Sequence, residues 1–149
     1  MLKARLESDL RDAMKARDEL ITSTLRMALT AVRNAEVAGK EARQLSDDEV
    51  LAVLTKEAKK RREAATAFGD AGREAQAAKE RAEEEVLAAY LPAQLSDEEL
   101  SQLVRGALTE GGFSGMASMG QAMKAAQAAV AGRAEGGRVA AEVRRQLGA

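Results

Sequence analysis

The chain has 149 residues, of which 32% are charged and 46% hydrophobic, and its formal net charge is −1. This balance gives no overall attraction to nucleic acid or membranes, so any anion-binding site has to come from local clustering. The absence of cysteine and histidine excludes disulfides, thiolate nucleophiles, Cys/His zinc sites and histidine-based catalytic triads. Carboxylates, lysines, hydroxyls and arginines remain, but the sequence singles out no catalytic residue, metal site or cofactor.

The first 92 residues show apolar side chains at helical spacing in four successive stretches. No window is long and apolar enough to span a bilayer, and the N-terminus reads as an amphipathic helix start instead of a signal peptide, so we expect a cytoplasmic protein. The predicted helices cover about 2–17, 21–37, 47–68 and 73–89. Few of the inward positions of the fourth helix are larger than alanine, so this helix should either lie close to its neighbours or project partly free of them.

Two segments carry the signature of a capped helix start. Ser46 is followed three residues later by Glu49, and Ser96 is followed in the same way by Glu99. In such a capping box the serine hydroxyl accepts a hydrogen bond from the third helical amide, while the glutamate reaches back to the serine amide. We therefore expect both pairs to be structural.

The segment around Tyr90 and Pro92 divides the chain. Pro92 is the only proline, and since it lacks an N–H it is expected to stop the fourth helix. Three shorter helices are predicted after it, over about 97–108, 117–130 and from the Gly136-Gly137 pair to the C-terminus. The sequence thus predicts an all-α protein with a helical bundle at 1–92 and a three-helix domain at 93–149.

The third predicted helix carries the densest basic cluster. Its side-chain spacing places Lys56, Lys59 and Lys60 on one face, opposite the apolar stripe. This face is either an ordinary solvated surface with partly balanced charge, or a patch that binds nucleic acid phosphates.

One arginine of this helix falls within the apolar stripe. By helical spacing, Arg61 points in the same direction as the apolar residues of the third helix. Glu36 falls in the same way on the apolar side of the second helix. A buried guanidinium needs a partner or a route to solvent. We therefore hypothesise that Glu36 and Arg61 pair between the helices; the alternative is that Arg61 reaches solvent at the helix edge.

A glycine-rich turn separates the last two predicted helices. Glycines leave backbone amides accessible, the following helix offers its positive end, and flanking cations add charge, a combination that suits a phosphate oxygen. The turn lacks the Gly-Lys-Ser/Thr of a nucleotide P-loop, and it could also serve only to reverse the chain. The candidate residues are Lys124, Gly132, Arg133, Gly136, Gly137 and Arg138.

Taken together, six segments resemble the GatB/YqeY family over essentially the whole chain. They are Leu25-Arg26-Met27, Asn34-Ala35-Glu36-Val37, Lys59-Lys60-Arg61, Tyr90-Leu91-Pro92-Ala93-Gln94-Leu95-Ser96, Met119-Gly120-Gln121-Ala122-Met123 and the turn 132–136. The resemblance implies an N-terminal helical bundle followed by a small three-helix domain. The same module forms the tail of the B subunit of the glutamine-dependent amidotransferase that converts misacylated Glu-tRNA(Gln) or Asp-tRNA(Asn). That tail is thought to contact the tRNA body, and the turn 132–136 with nearby basic residues would face the tRNA.

From this resemblance we expect a non-catalytic module that binds tRNA or another structured RNA. The family link also points to carbon–nitrogen ligases with glutamine as amide donor, but the sequence lacks a Ser-Ser-Lys amidase arrangement and an ATP-phosphate loop. Two alternatives stay open. The chain could be a protein–protein adaptor that binds a partner through its alanine-rich and methionine-bearing helices, or an accessory component of an amidotransferase.

Overall fold

The computed structural model describes residues 1–148 and confirms the predicted all-α class. Over this range the chain forms seven α-helices and one 3-10 helix, and no strand. The α-helices are α1 (Leu2–Ala16), α2 (Glu19–Glu36), α3 (Asp47–Asp70), α4 (Glu74–Ala88), α5 (Asp97–Gly111), α6 (Met119–Val130) and α7 (Gly136–Leu147), and the 3-10 helix covers Met116–Ser118. None of the helices in the described part of the chain has the length and apolar character needed to cross a membrane.

Both predicted capping boxes are present. The hydroxyl of Ser46 accepts a hydrogen bond from the amide of Glu49 at 3.2 Å, and that of Ser96 accepts one from Glu99 at 3.1 Å. Each glutamate in turn accepts a hydrogen bond from its serine amide, at 3.3 and 3.1 Å. The nearby Arg43 guanidinium and the Ser46 amide lower the pKa of Glu49 to about 2, so its carboxylate remains charged in acid. The two pairs therefore fix the starts of α3 and α5.

Contacts divide the chain into two compact units, Met1–Leu91 and the part from Pro92 onward. We call them the N-terminal unit and the C-terminal unit. Leucine, valine and alanine side chains of α1 to α4 form the core of the N-terminal unit, where α3 and α4 make the most extensive helix pair. Ala77 and Leu87 are the fully buried apolar residues of α4, so this helix packs against its neighbours, which is the first of the two expected arrangements.

Tyr90 anchors the end of the N-terminal unit. Its hydroxyl donates a hydrogen bond to the carboxylate of Asp9, and the guanidinium of Arg5 lies 4.7 Å from the centre of its ring. Burial and the Asp9 contact raise the pKa of the Tyr90 phenol well above its usual range. The ring thereby attaches the chain after α4 to α1.

The C-terminal unit has its own core, built from Leu95 and from the inward faces of α5, α6 and α7. Met119 and Met123 pack against it, whereas Met116 lies in the 3-10 helix that precedes α6 and is half exposed.

Candidate functional site

The glycine turn of the C-terminal unit is tied to the start of α5. Ala131 and Gly132 both adopt left-handed conformations, with φ of 52° and 76°, and the chain then reaches α7 with Glu135 as its N-cap. The carbonyl of Arg133 accepts a hydrogen bond from the amide of Leu95 at 2.8 Å. The turn therefore has a structural role within this unit in addition to any binding role.

The side chain of Arg138 also binds the segment at the start of α5. Its Nη2 donates hydrogen bonds to the carbonyl of Leu95 and to Oδ1 of Asp97, both at 2.9 Å. About one third of the side chain is exposed, so part of the guanidinium faces solvent. Arg138 thus supports the start of α5, and its predicted contact with RNA stays a prediction.

The other candidates of this unit do not form one compact site. Lys124 is exposed on α6, six residues or about 9 Å of helical rise before Val130, where the helix ends. Beside the turn lies a cavity of about 250 Å³ that contains Gly132 and Gly136 in its lining but no cationic residue. Arg133 is half-buried, and its charge assists the Ser96 amide and hydroxyl in lowering the pKa of Glu99.

The basic face of α3 is more open. Lys56, Lys59 and Lys60 are all exposed, as their spacing predicted. Lys59 lies 3.9 Å from Glu63 and Lys60 lies 3.2 Å from Glu57, in pairs along the same helix. Such exposed pairs contribute little to stability, so both ammonium groups can exchange partners at small cost.

Beside this face, α2 and α3 border a groove of about 700 Å³ in the N-terminal unit, which we call the α2–α3 groove. Four of its lining residues are cationic and only one is acidic, although the whole chain is close to neutral. The residues that line the groove are Arg26, Met27, Thr30, Ala31, Asn34, Ala35, Val53, Lys56, Glu57, Lys60 and Arg61. Helical spacing within α3 predicted the lysine face, but it cannot show that Arg26 of α2 lies beside that face.

The hypothesis that Glu36 pairs with Arg61 was wrong. Glu36 instead binds Lys3 of α1, with 2.8 Å between Oε1 and Nζ, and it also accepts a hydrogen bond from the amide of Leu45. The Lys3 contact is the main cause that lowers the pKa of Glu36. Arg61 is buried, and its Nε lies 3.3 Å from Oε2 of Glu83.

Glu83 is the residue that sequence reasoning missed. It lies within a run of glutamates on α4, and composition does not distinguish it from its neighbours. One signal was available, because Glu83 precedes the buried Leu87 by four residues and so shares its helix face. That position places the carboxylate against α3, where it partners the buried guanidinium.

A comparison with protein families identifies the relationship. The sequence profile of the family described as Yqey-like protein matches residues 3–147. The chain belongs to this family. Comparison with curated proteins gave no match.

The family resemblance and the α2–α3 groove coincide in position. Three of the segments that resemble the YqeY family lie on α2 and α3, and they supply six of the eleven groove residues: Arg26, Met27, Asn34, Ala35, Lys60 and Arg61. The groove is therefore a site where several cationic side chains and family-like segments meet.

Proposed function

We propose that this YqeY-like protein is a non-catalytic helical module that binds tRNA or another structured RNA. The observation that carries the proposal is the basic α2–α3 groove with the exposed lysines beside it. A nearly neutral protein can bind a polyanion when its cations are gathered on one face, because each phosphate contact releases counterions. The resemblance to the tRNA-contacting tail of an amidotransferase subunit supports the same class of ligand.

The test measures binding of labelled tRNA to the full chain on native gels over a range of salt concentrations. In the double variant Lys56→Glu/Lys60→Glu, we expect affinity to fall by roughly tenfold or more and the salt dependence to become shallower by about one phosphate contact for each lysine. Both side chains are exposed, so the substitutions should leave the fold intact.

A matched control is available on α4. Lys79→Glu/Arg81→Glu changes the net charge by the same amount at exposed positions that do not line the groove. We expect this control to retain most of the affinity. Equal losses in the two double variants would mean that only net charge matters, and no binding by the unmodified chain would refute the proposal.

The contribution of the glycine turn is best tested through Arg133. Arg138→Glu would also remove the hydrogen bonds to Leu95 and Asp97, so reduced binding could come from a disturbed α5. If the turn contacts RNA, Arg133→Glu should weaken RNA binding by itself, and the loss should add to that caused by the groove substitutions.

A protein–protein adaptor is the second candidate. It is favoured by a mainly apolar groove of about 570 Å³ between α5 and α6 of the C-terminal unit, lined among others by Leu103, Phe113 and Ala129. A partner that co-purifies after nuclease treatment, and is lost in Phe113→Asp, would favour this function over RNA binding.

An accessory role in amidation would instead appear as faster ATP- and glutamine-dependent conversion of Glu-tRNA when the chain is added to an amidotransferase.

A further inference from the structure

One nitrogen of the buried Arg61 guanidinium, Nη2, is satisfied only weakly by the described residues. The Nε of Arg61 binds Glu83, and its Nη1 donates to the carbonyl of Glu57 at 3.0 Å. Among the described residues, the acceptor for Nη2 is the thioether sulfur of Met27, at 3.7 Å. Sulfur is a weak acceptor, whereas a buried charged donor that lacks a good partner is costly. Only 8% of the side chain is exposed, so most of the guanidinium depends on protein partners.

This incompletely satisfied group faces the α2–α3 groove. Arg61 and Met27 both line the groove, and Met27 is partly exposed there. Arg26 of α2 also lines the groove; unlike Arg61 it is exposed, and its hydrogen bond among the described residues goes to the thioether of Met14 at 3.8 Å. Each of the two helices thus brings to the groove a guanidinium with a nitrogen whose hydrogen bond goes to sulfur, so these nitrogens could gain a stronger acceptor from a ligand.

The charges around the groove select an anion. Lys56 has no ion pair among the described residues, while the single carboxylate, Glu57, is already 3.2 Å from Lys60 and 3.8 Å from Arg61. A phosphate suits this set of donors, because it has several anionic oxygens and guanidinium groups bind them in charge-assisted pairs. The remaining wall, formed by Ala31, Ala35 and Val53, is apolar.

We propose that the α2–α3 groove is a binding site for one nucleoside monophosphate unit, whose phosphate contacts Arg61 and Arg26 and whose nucleoside lies along the apolar wall. A volume of about 700 Å³ is in the range of small-molecule sites and exceeds what a phosphate alone needs. This proposal deepens the proposed function, because a nucleotide of bound RNA would supply the unit. A free nucleotide has the same chemistry, so the experiment separates the two sources.

The experiment records amide NMR spectra of the full chain during titration with adenosine 5′-monophosphate, inorganic phosphate or adenosine. We expect the monophosphate to shift groove amides of α2 and α3, phosphate to shift them more weakly, and adenosine to leave them almost unchanged. Arg26→Met should weaken monophosphate binding by roughly tenfold, the loss expected for one charge-assisted contact, and Lys56→Met, which removes a further positive charge from the groove, should weaken it by a smaller factor. Lys79→Met, outside the groove, serves as the control.

Arg61→Lys tests the buried group directly. Lysine keeps a positive charge near Glu83 but cannot place donors where Nη2 lies. We therefore expect the affinity for the monophosphate to fall while the thermal midpoint of the protein changes only slightly. If this variant fails to fold, the exposed variants Arg26→Met and Lys56→Met still decide the question. Absence of groove shifts at millimolar monophosphate, or equal affinity in Arg26→Met and Lys79→Met, would overturn the proposal.

The tRNA arm distinguishes this proposal from the proposed function. If tRNA binds through the groove lysines but the monophosphate causes no groove shifts, RNA binding stands and the nucleotide site is refuted. If the monophosphate binds and tRNA does not, the groove is a site for a free nucleotide and RNA binding is refuted. Competition of the monophosphate against bound tRNA would support both.

Discussion

Thr24 presents a buried hydroxyl with no hydrogen-bond partner among the described residues. The residue lies on the inward face of α2 and is fully buried, yet its Oγ1 contacts no acceptor or donor. The exposed Thr30, Thr55 and Thr66 instead donate to the carbonyl oxygen four residues earlier, at 2.8 to 3.1 Å. A polar atom left without a partner in a core costs free energy, so Thr24 reduces the stability of the N-terminal unit.

We expect Thr24→Val to stabilise the protein by about 1 kcal/mol, because valine has the same branched shape without the hydroxyl. For a chain of this size the thermal midpoint should rise by roughly 2–4 °C, measured by circular dichroism. Thr55→Val is the control, because it removes a hydroxyl that is exposed and already bonded. A lower midpoint for Thr24→Val would show that the hydroxyl has a partner, such as a buried water.

Arg61 shows that a sequence can predict the burial of a single residue but not its partner. Its position in the apolar stripe correctly indicated a buried cation, since helical periodicity within one helix determines which side chains face inward. Its partner depends on which helices pack together, and α4 supplies Glu83 where the sequence had suggested Glu36 of α2. The sulfur contacts of Arg61 and Arg26 were equally unpredictable, because they depend on side-chain geometry between distant residues.

At the scale of single helices, the capping boxes are the features that the sequence predicts best. Ser46 and Glu49, like Ser96 and Glu99, interact over three residues, so their geometry follows from local chain direction. Helix ends controlled by glycine were less sharply predicted. For example, α3 continues through Gly69 to Asp70, and the left-handed residue after it is Gly72.

Ser46→Ala and Ser96→Ala should each reduce the free energy of unfolding by about 1 kcal/mol, because an amide at the helix start loses its acceptor. Glycine at either position should cost only a few tenths of that value, so Ser46→Gly and Ser96→Gly are matched controls. Urea unfolding followed by circular dichroism measures all four. Equal losses for alanine and glycine would indicate that the serines act through other contacts than capping.

At the scale of the whole molecule, each unit has a separate hydrophobic core. Leu6, Leu29 and Leu87 belong to the core of the N-terminal unit, whereas Leu95 and Val143 belong to that of the C-terminal unit. Tyr90 packs on the first core, and Leu95, five residues later, is buried in the second. We propose that 1–92 and 93–149, the two parts into which the sequence predicts the chain to divide, fold independently.

The only tyrosine allows this proposal to be tested in the intact chain. Tyr90 contacts Asp9 and Arg5, and the sequence has no tryptophan, so tyrosine fluorescence follows the N-terminal unit while circular dichroism follows helices of both units. A domain of about 57 residues buries a smaller share of its surface than a larger one, so 93–149 should unfold first. We therefore expect part of the helical signal to be lost in urea before Tyr90 responds, and the isolated fragment 1–92 to show the same fluorescence midpoint as the full chain. Coincident transitions in the full chain, together with an unfolded 1–92 fragment, would instead mean that the two cores form one cooperative unit.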